Sequence, residues 1–254
     1  MRKSIFFMLM LMSLSVWAQK KKKSEPVPAA QPQPQPTTPS TAKAPKDSLA
    51  PVNPLLRHYA LKYQLAVQWN DYDIAKDALY DLIIENQGND STVIDLAGYY
   101  YQNQKYPSAV LVAQTLLKRN PKNASALEIA AIGYENLGVY DRALQHYESL
   151  YLLQNNTNVL YKMVALQVQL KRFREAAATA DILLAAKDLD SLKVGYPMAD
   201  GKQKDFALKV AALNLKGTVA MEQSDKVNAK KYFEQALAIA PDYPPAKDNL
   251  AKLK

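Results

Sequence analysis

The sequence predicts an all-α fold: an α-α superhelix of about five helical hairpins, closed by a C-terminal helix and interrupted once by a short β-hairpin or loop. Three observations carry this. From residue 54 onward, apolar residues recur at three- and four-residue intervals, which places them on one face of a helix. Glycine is scarce, seven residues in 254, so little interrupts the helical runs. An aromatic followed three residues later by alanine recurs as Tyr72/Ala75, Tyr106/Ala109, Tyr140/Ala143 and Phe173/Ala176, with the alanines 34, 34 and 33 residues apart.

The chain begins with Arg2 and Lys3, then an apolar run from Ile5 to about Val16 and a small residue at Ala18. This is the layout of a secretory signal peptide over residues 1–18. The run is shorter than the roughly 20 residues a spanning helix requires. Lys20 to Lys23 place more positive charge after the run than before it, the arrangement of an uncleaved, reversed anchor. The length of the run argues for export and cleavage, and so for the periplasm or cell envelope of a Gram-negative bacterium. No cysteine is present, which excludes a lipobox, disulfides, thiolate catalysis and Cys-based metal sites.

Residues 19–53 form a linker dense in Lys, Pro and Gln, too poor in apolar surface to fold alone. Its Gln-Pro alternation favours a stiff polyproline II spacer. Pro36-Thr37-Thr38-Pro39 has the form PxxP, which any Pro-rich spacer produces. Lys20–Lys23 could touch anionic lipid peripherally; a solvated tail accounts for them equally. The net charge of +8 belongs mostly here: residues 1–53 carry eight basic and two acidic groups, residues 54–254 carry 24 and 22. A nearly neutral folded part gives no footprint for nucleic acid.

The repeats fall near 56–89, 90–123, 124–156, 157–188 and 207–241, with an insertion over 189–206 and a capping helix over 244–254. In each repeat a small alanine lets two helices approach, the aromatic wedges against the preceding helix, and prolines such as Pro121 and Pro241 stop the second helix. No hairpin buries its own apolar face, so neighbours must stack. Ala229, Phe233, Ala236 and Pro241 mark the fifth copy. The interval from Ala176 to Ala229 is 53 residues, about 19 beyond one period. In the excess, "LKVGY" alternates as a strand does and Asp200-Gly201 signals a tight turn, so Leu192, Val194, Tyr196 and Phe206 are expected to pack on the helices. "PPAKDNLAKLK" has the polar character of a cap.

The pattern resembles the tetratricopeptide repeat family over roughly residues 56 to 241. Leu96-Ala97 with Tyr100, Ala130-Ala131 with Tyr134, and Gly217 fit its Leu-Gly…Tyr motif. Tyr63, Val164 and Gln167 depart from it. The resemblance implies a concave groove, lined by the first helix of each hairpin, that receives a peptide or helix of a partner protein. Carried onto this chain, its lining is Gln64, Gln68, Ile94, Tyr101, Glu128, Glu135, Tyr161, Gln169, Asn214 and Glu222. Tyr101 and Tyr161 are the expected anchors, and an ordinary solvated face is the plain alternative for each position. Ala60 and Gln64 stand where the chaperone-binding members carry a lysine and an asparagine, so gripping a C-terminal carboxylate is not expected. In the insertion, Tyr196, Met198 and Asp200 are specificity candidates, because insertions in repeat proteins map to one face, often the binding face.

Other signals read as structure. Tyr99, Tyr100 and Tyr101 point about 100° apart on a helix and cannot form one stacking platform; Tyr100 is expected in the core. Trp69 reads as inter-helix packing. His58 and His146 lie in different repeats without an evident acid-base partner, and no GxGxxG, P-loop or HExxH spacing occurs. The chain reads as a non-enzymatic scaffold or assembly adaptor without cofactor or metal. An adaptor for envelope glycan or cell wall is the alternative. Asp47-Ser48-Leu49, Asp90-Ser91-Thr92 and Asp190-Ser191-Leu192 resemble an O-glycosylation triplet of some envelope proteins, with Ser48 the exposed candidate.

Overall fold

The computed structural model describes residues 53–253; the expected signal peptide and linker, with Lys20–Lys23 and Ser48, lie outside them. Among the described residues, eleven helices and two strands follow one another. The helices are α1 (Pro54–Gln68), α2 (Tyr72–Glu85), α3 (Asp90–Gln102), α4 (Tyr106–Arg119), α5 (Ala124–Asn136), α6 (Tyr140–Gln154), α7 (Thr157–Gln169) and α8 (Phe173–Leu184). Then come β1 (Lys193–Pro197), β2 (Gln203–Ala207), α9 (Leu208–Glu222), α10 (Lys226–Ile239) and α11 (Pro244–Lys252). The glycine-poor helical runs thus pair into five hairpins and a terminal helix, as the periodicity requires.

The local chemistry repeats with the helices. Asn53, Asn89, Asn123 and Asn156 cap α1, α3, α5 and α7, each side chain accepting from a backbone N–H of the first turn. Inside every hairpin the chain reverses through one left-handed residue: Asn70 (φ 56°), Gln104 (56°), Gly138 (73°), Lys171 (60°) and Ser224 (65°). The next residue's N–H then reaches back across the turn, as from Asp71 to the Ala66 carbonyl at 2.8 Å and from Arg172 to the Gln167 carbonyl at 2.8 Å. The alanine column Ala75, Ala109, Ala143, Ala176 and Ala229 is fully buried, which confirms why a small residue recurs there.

Core residues run continuously from Val93 to Ala212, with further clusters around Phe206 and Tyr243 and around Phe233. Curvature follows from which helices crowd. α3 approaches α5, α7 approaches α9 and α9 approaches α11, whereas no even-numbered helix has a Cα within 8 Å of another. The odd-numbered helices therefore form the inner row.

The insertion is an antiparallel β-hairpin, Val194 opposite Phe206 and Tyr196 opposite Lys204. Its loop closes by Met198 N–H to the Lys202 carbonyl (2.8 Å) and Gly201 N–H to the Met198 carbonyl (3.0 Å), with Gly201 at φ 79°. That is a three-residue loop ending in a left-handed residue, the geometry that Asp200-Gly201 favours. Phe206 is buried, and Leu192, Val194 and Tyr196 pack against the helical core. α9 lacks an asparagine cap. Its first N–H, from Leu208, is taken instead by the Leu192 carbonyl at 2.8 Å, so the hairpin does the work of the cap it displaced.

Candidate partner-binding groove

The inner row is uneven. α5 and α7 have no Cα pair within 8 Å, and side chains bridge the space between them. Glu135 of α5 accepts from the Tyr147 hydroxyl at 2.8 Å and from Lys162 Nζ at 3.2 and 3.4 Å. The Glu135 side chain is 10% exposed and that of Lys162 22%. Burial, followed by the Glu135 charge, pushes the Tyr147 phenol far above its ordinary value, so it serves as a fixed donor. Tyr161, one residue before Lys162, is pushed up to about 12 by burial and then by Glu135.

Glu128, two helical turns before Glu135, makes no ion pair with any of the described residues. Burial raises its carboxyl above the usual range, and Asp95 on α3 is raised for the same reason. Both remain open toward solvent. Tyr101 stands over Tyr106, ring centres 6.2 Å apart. The middle of the inner row thus gathers Tyr101, Glu128, Glu135, Tyr147 and Lys162 from four helices.

The expected lining separates into three groups. Gln64, Gln68, Gln169 and Glu222 are exposed on the inner helices, and Ile94 and Tyr101 are half-buried at its floor. Glu128 and Glu135 sit together in the network just described. Two positions are not open. Tyr161 joins the main core to the cluster beneath the β-hairpin, so its ring is packing rather than an outward anchor. Asn214 is 7% exposed because α11 covers it: Asn249 Nδ2 donates to Asn214 Oδ1 at 3.1 Å and to Thr218 Oγ1 at 3.4 Å. A capping helix lying on the inner row closes the groove at that end.

The insertion candidates divide likewise. Tyr196 is half-buried with its ring edge against Tyr243, centres 5.8 Å apart, and Met198 packs on the same cluster. Asp200 is exposed in the loop and accepts from Lys202 N–H at 3.0 Å. Lys204 pairs with Asp242, tying the hairpin to the start of α11. The triple tyrosine disperses as helix geometry demands: Tyr99 donates to Asp73 at 3.3 Å, Tyr100 meets the Tyr80 hydroxyl at 2.7 Å, and Tyr101 faces inward. Trp69 departs from expectation. It is 70% exposed after the end of α1, because no earlier helix exists among the described residues for it to pack against.

Sequence reasoning missed Lys162 and Tyr147. A signal existed for the first, since Lys162 is the sole charged residue of α7, and a lone charge on a neutral helix asks for a partner. Tyr147 looks like a core aromatic, yet its hydroxyl needs an acceptor once buried. The histidine His146 is also accounted for: it stacks on Tyr134 (5.6 Å, 4°), shares a 2.7 Å hydrogen bond with Gln114, and is held neutral by burial and Arg142.

No family model and no curated protein matches this chain in sequence. Solved structures do match in fold. A tetratricopeptide repeat protein from Parabacteroides merdae superposes with a TM-score of 0.61 at 18% identity, over 79% of this chain and 73% of that one. The MamA protein does so with a TM-score of 0.58 at 14% identity, over 78% and 94%. A further MamA structure, AMB-1, gives 0.58 at 14% identity over 74% and 92%. At such identities the likeness is one of fold.

Proposed function

We propose that this chain, whose fold is that of tetratricopeptide repeat proteins, is a non-enzymatic scaffold of the bacterial envelope that holds a peptide or helix of a partner protein in its inner row. The observation that carries the reading is the pairing pattern of the charges there. Glu135, Tyr147 and Lys162 satisfy one another and fix the floor, while Glu128 and Asp95 are partly desolvated and without a cation. A partner that brings lysine or arginine to Glu128 relieves that desolvation, and Tyr101 beside it offers an amphipathic contact. Of the titratable groups there, Glu135, Tyr147 and Lys162 are held together in one structural network. Of the two expected anchors, the packing of Tyr161 leaves Tyr101, itself half-buried against Tyr106, for a glycan to stack on, which favours a protein over a sugar as occupant.

Placement in the envelope rests on Arg2, Lys3 and the apolar run that follows. A mature N-terminus near Gln19 supports it; an intact Met1 end contradicts it. The partner reading is tested with a photo-crosslinking residue at position 101 in living cells. A discrete protein adduct that disappears in Glu128→Lys, with none from position 227 on the outer side of α10, is the expected result. Adducts with glycan alone, or equal adducts from position 227, would overturn it.

A further inference from the structure

The outward side of α1 is a stacking face that has no neighbouring helix among the described residues. Successive odd helices carry the same positions at the repeat interval, and in the later repeats those positions are covered by the preceding even helix. His58 corresponds to Thr92, Ala126, Val159 and Ala212, all buried. Leu65 corresponds to Tyr99, Gly133, Leu166 and Val219; a Cβ at Gly133 would come within 2.5 Å of the Val110 side chain on α4, so this column looks straight at the preceding repeat. In α1 the column meets solvent: Leu61 is 50% exposed, Leu65 45% and Trp69 70%. With His58, Lys62, Ala66, Asp71 and Ile74 they line one shallow, mostly apolar groove. On a helix, 58, 61, 65 and 69 share one side.

We infer that this face docks the same face of a second copy of the chain, α1 antiparallel to α1. Charge placement argues for that occupant and orientation. Arg57 and His58 lie at the start of α1, its last residue Gln68 is about 16 Å further along the axis at 1.5 Å per residue, and Asp71 follows in the turn to α2. An antiparallel pairing about a two-fold axis near Gln64 sets Arg57 of each copy beside Trp69 and Asp71 of the other, and Leu61 against Leu65. It also opposes the two helix dipoles. A symmetric interface of this kind is self-complementary and closed. Head-to-tail stacking is disfavoured at the other end, where α11 turns Lys247, Asp248 and Lys252 to solvent. Trp69 then finds inter-helix packing after all, between chains.

The absence of cysteine makes a direct test available. The full chain should sediment as a concentration-dependent dimer, and Leu61→Glu with Leu65→Glu should raise its dissociation constant at least about 100-fold while the circular dichroism of the helices is unchanged. A mixture of Leu61→Cys and Leu65→Cys copies should form an intermolecular disulfide rapidly in air, Val227→Cys on exposed α10 should not, and Arg57→Glu should weaken dimerisation in a salt-dependent way. A monomer at all concentrations, a dimer indifferent to Leu61 and Leu65, or disulfides formed equally from that mixture and from position 227 would each overturn the proposal.

Discussion

The two ends of this superhelix meet the same problem differently. A repeat array ends in a face shaped for a neighbour that is not there. At the C-terminal end the chain supplies the cover: α11 and the β-hairpin bury Tyr243, Ala246 and Phe206, and Asn249 reaches back to Asn214. At the N-terminal end Leu61, Leu65 and Trp69 stay open. The difference teaches that exposed apolar surface in a repeat protein is informative only when its column is followed through the array. Leu65 on its own is an ordinary exposed leucine; as the first member of the column that ends in Val219, it is a face without its cover.

The sharpest way to break the comparison is one truncation at each end. Phe233→Ala, in a fully buried ring that contacts the Gly217 position, should cost about 3–5 kcal/mol. Trp69→Ala, measured on the monomer in dilute solution, should cost less than about 0.5 kcal/mol. Paired urea titrations check both, and equal losses would erase the distinction between ends. Next in size is deletion of residues 190–204, which removes Leu192, Val194 and Tyr196 from the core and the Leu208 cap. It should lower stability by about 2–3 kcal/mol while far-ultraviolet ellipticity changes little, since α1–α8 do not depend on it. Collapse of the whole spectrum would show that the hairpin belongs to the folding core.

A third substitution sharpens the comparison from inside the stack, where no end is involved. Gln167 is 3% exposed and its Oε1 has no hydrogen-bond partner. Gln167→Met should stabilise by about 1 kcal/mol, read as a raised denaturation midpoint. A small, pH-dependent effect is expected midway along the groove. Burial raises the Glu128 carboxyl in the fold above its ordinary 4.5, so ionisation weakens the folded state. The penalty is absent below the unfolded value, grows as pH climbs through the two values, and is complete above the folded one. Glu128→Gln should therefore gain less than about 1 kcal/mol near pH 7 and nothing near pH 4, by thermal melts at both.

Much of this architecture was legible because it is periodic. The alanine column and its aromatic partners set the number and phase of the hairpins, and Asp200-Gly201 marked the loop of the insertion. What was hidden lay where two repeats interact through unlike residues. Asn214 looked like a groove position by its place in the repeat, but the cap comes from a segment with no repeat phase. Tyr161 was assigned to the lining for the same reason, and the non-repeating β-hairpin covers it. The Glu135–Lys162 bridge joins neighbouring columns of α5 and α7, so a reading that compares each column with itself passes over it.

The left-handed residue inside every hairpin carries one last consequence, for how much heat the protein can be made to bear. Only Gly138 adopts that conformation freely; Gln104, Lys171 and Ser224 hold it with a Cβ. Replacing those three with glycine should raise stability by roughly 0.5 kcal/mol each, after the entropy that glycine adds to the unfolded chain. The turns sit in separate repeats, so the gains should add. All three are exposed and none belongs to the inner-row network or to the stripe on α1. The backbone thus holds a margin of thermal tolerance that can be drawn on without disturbing either surface through which this chain is proposed to meet others.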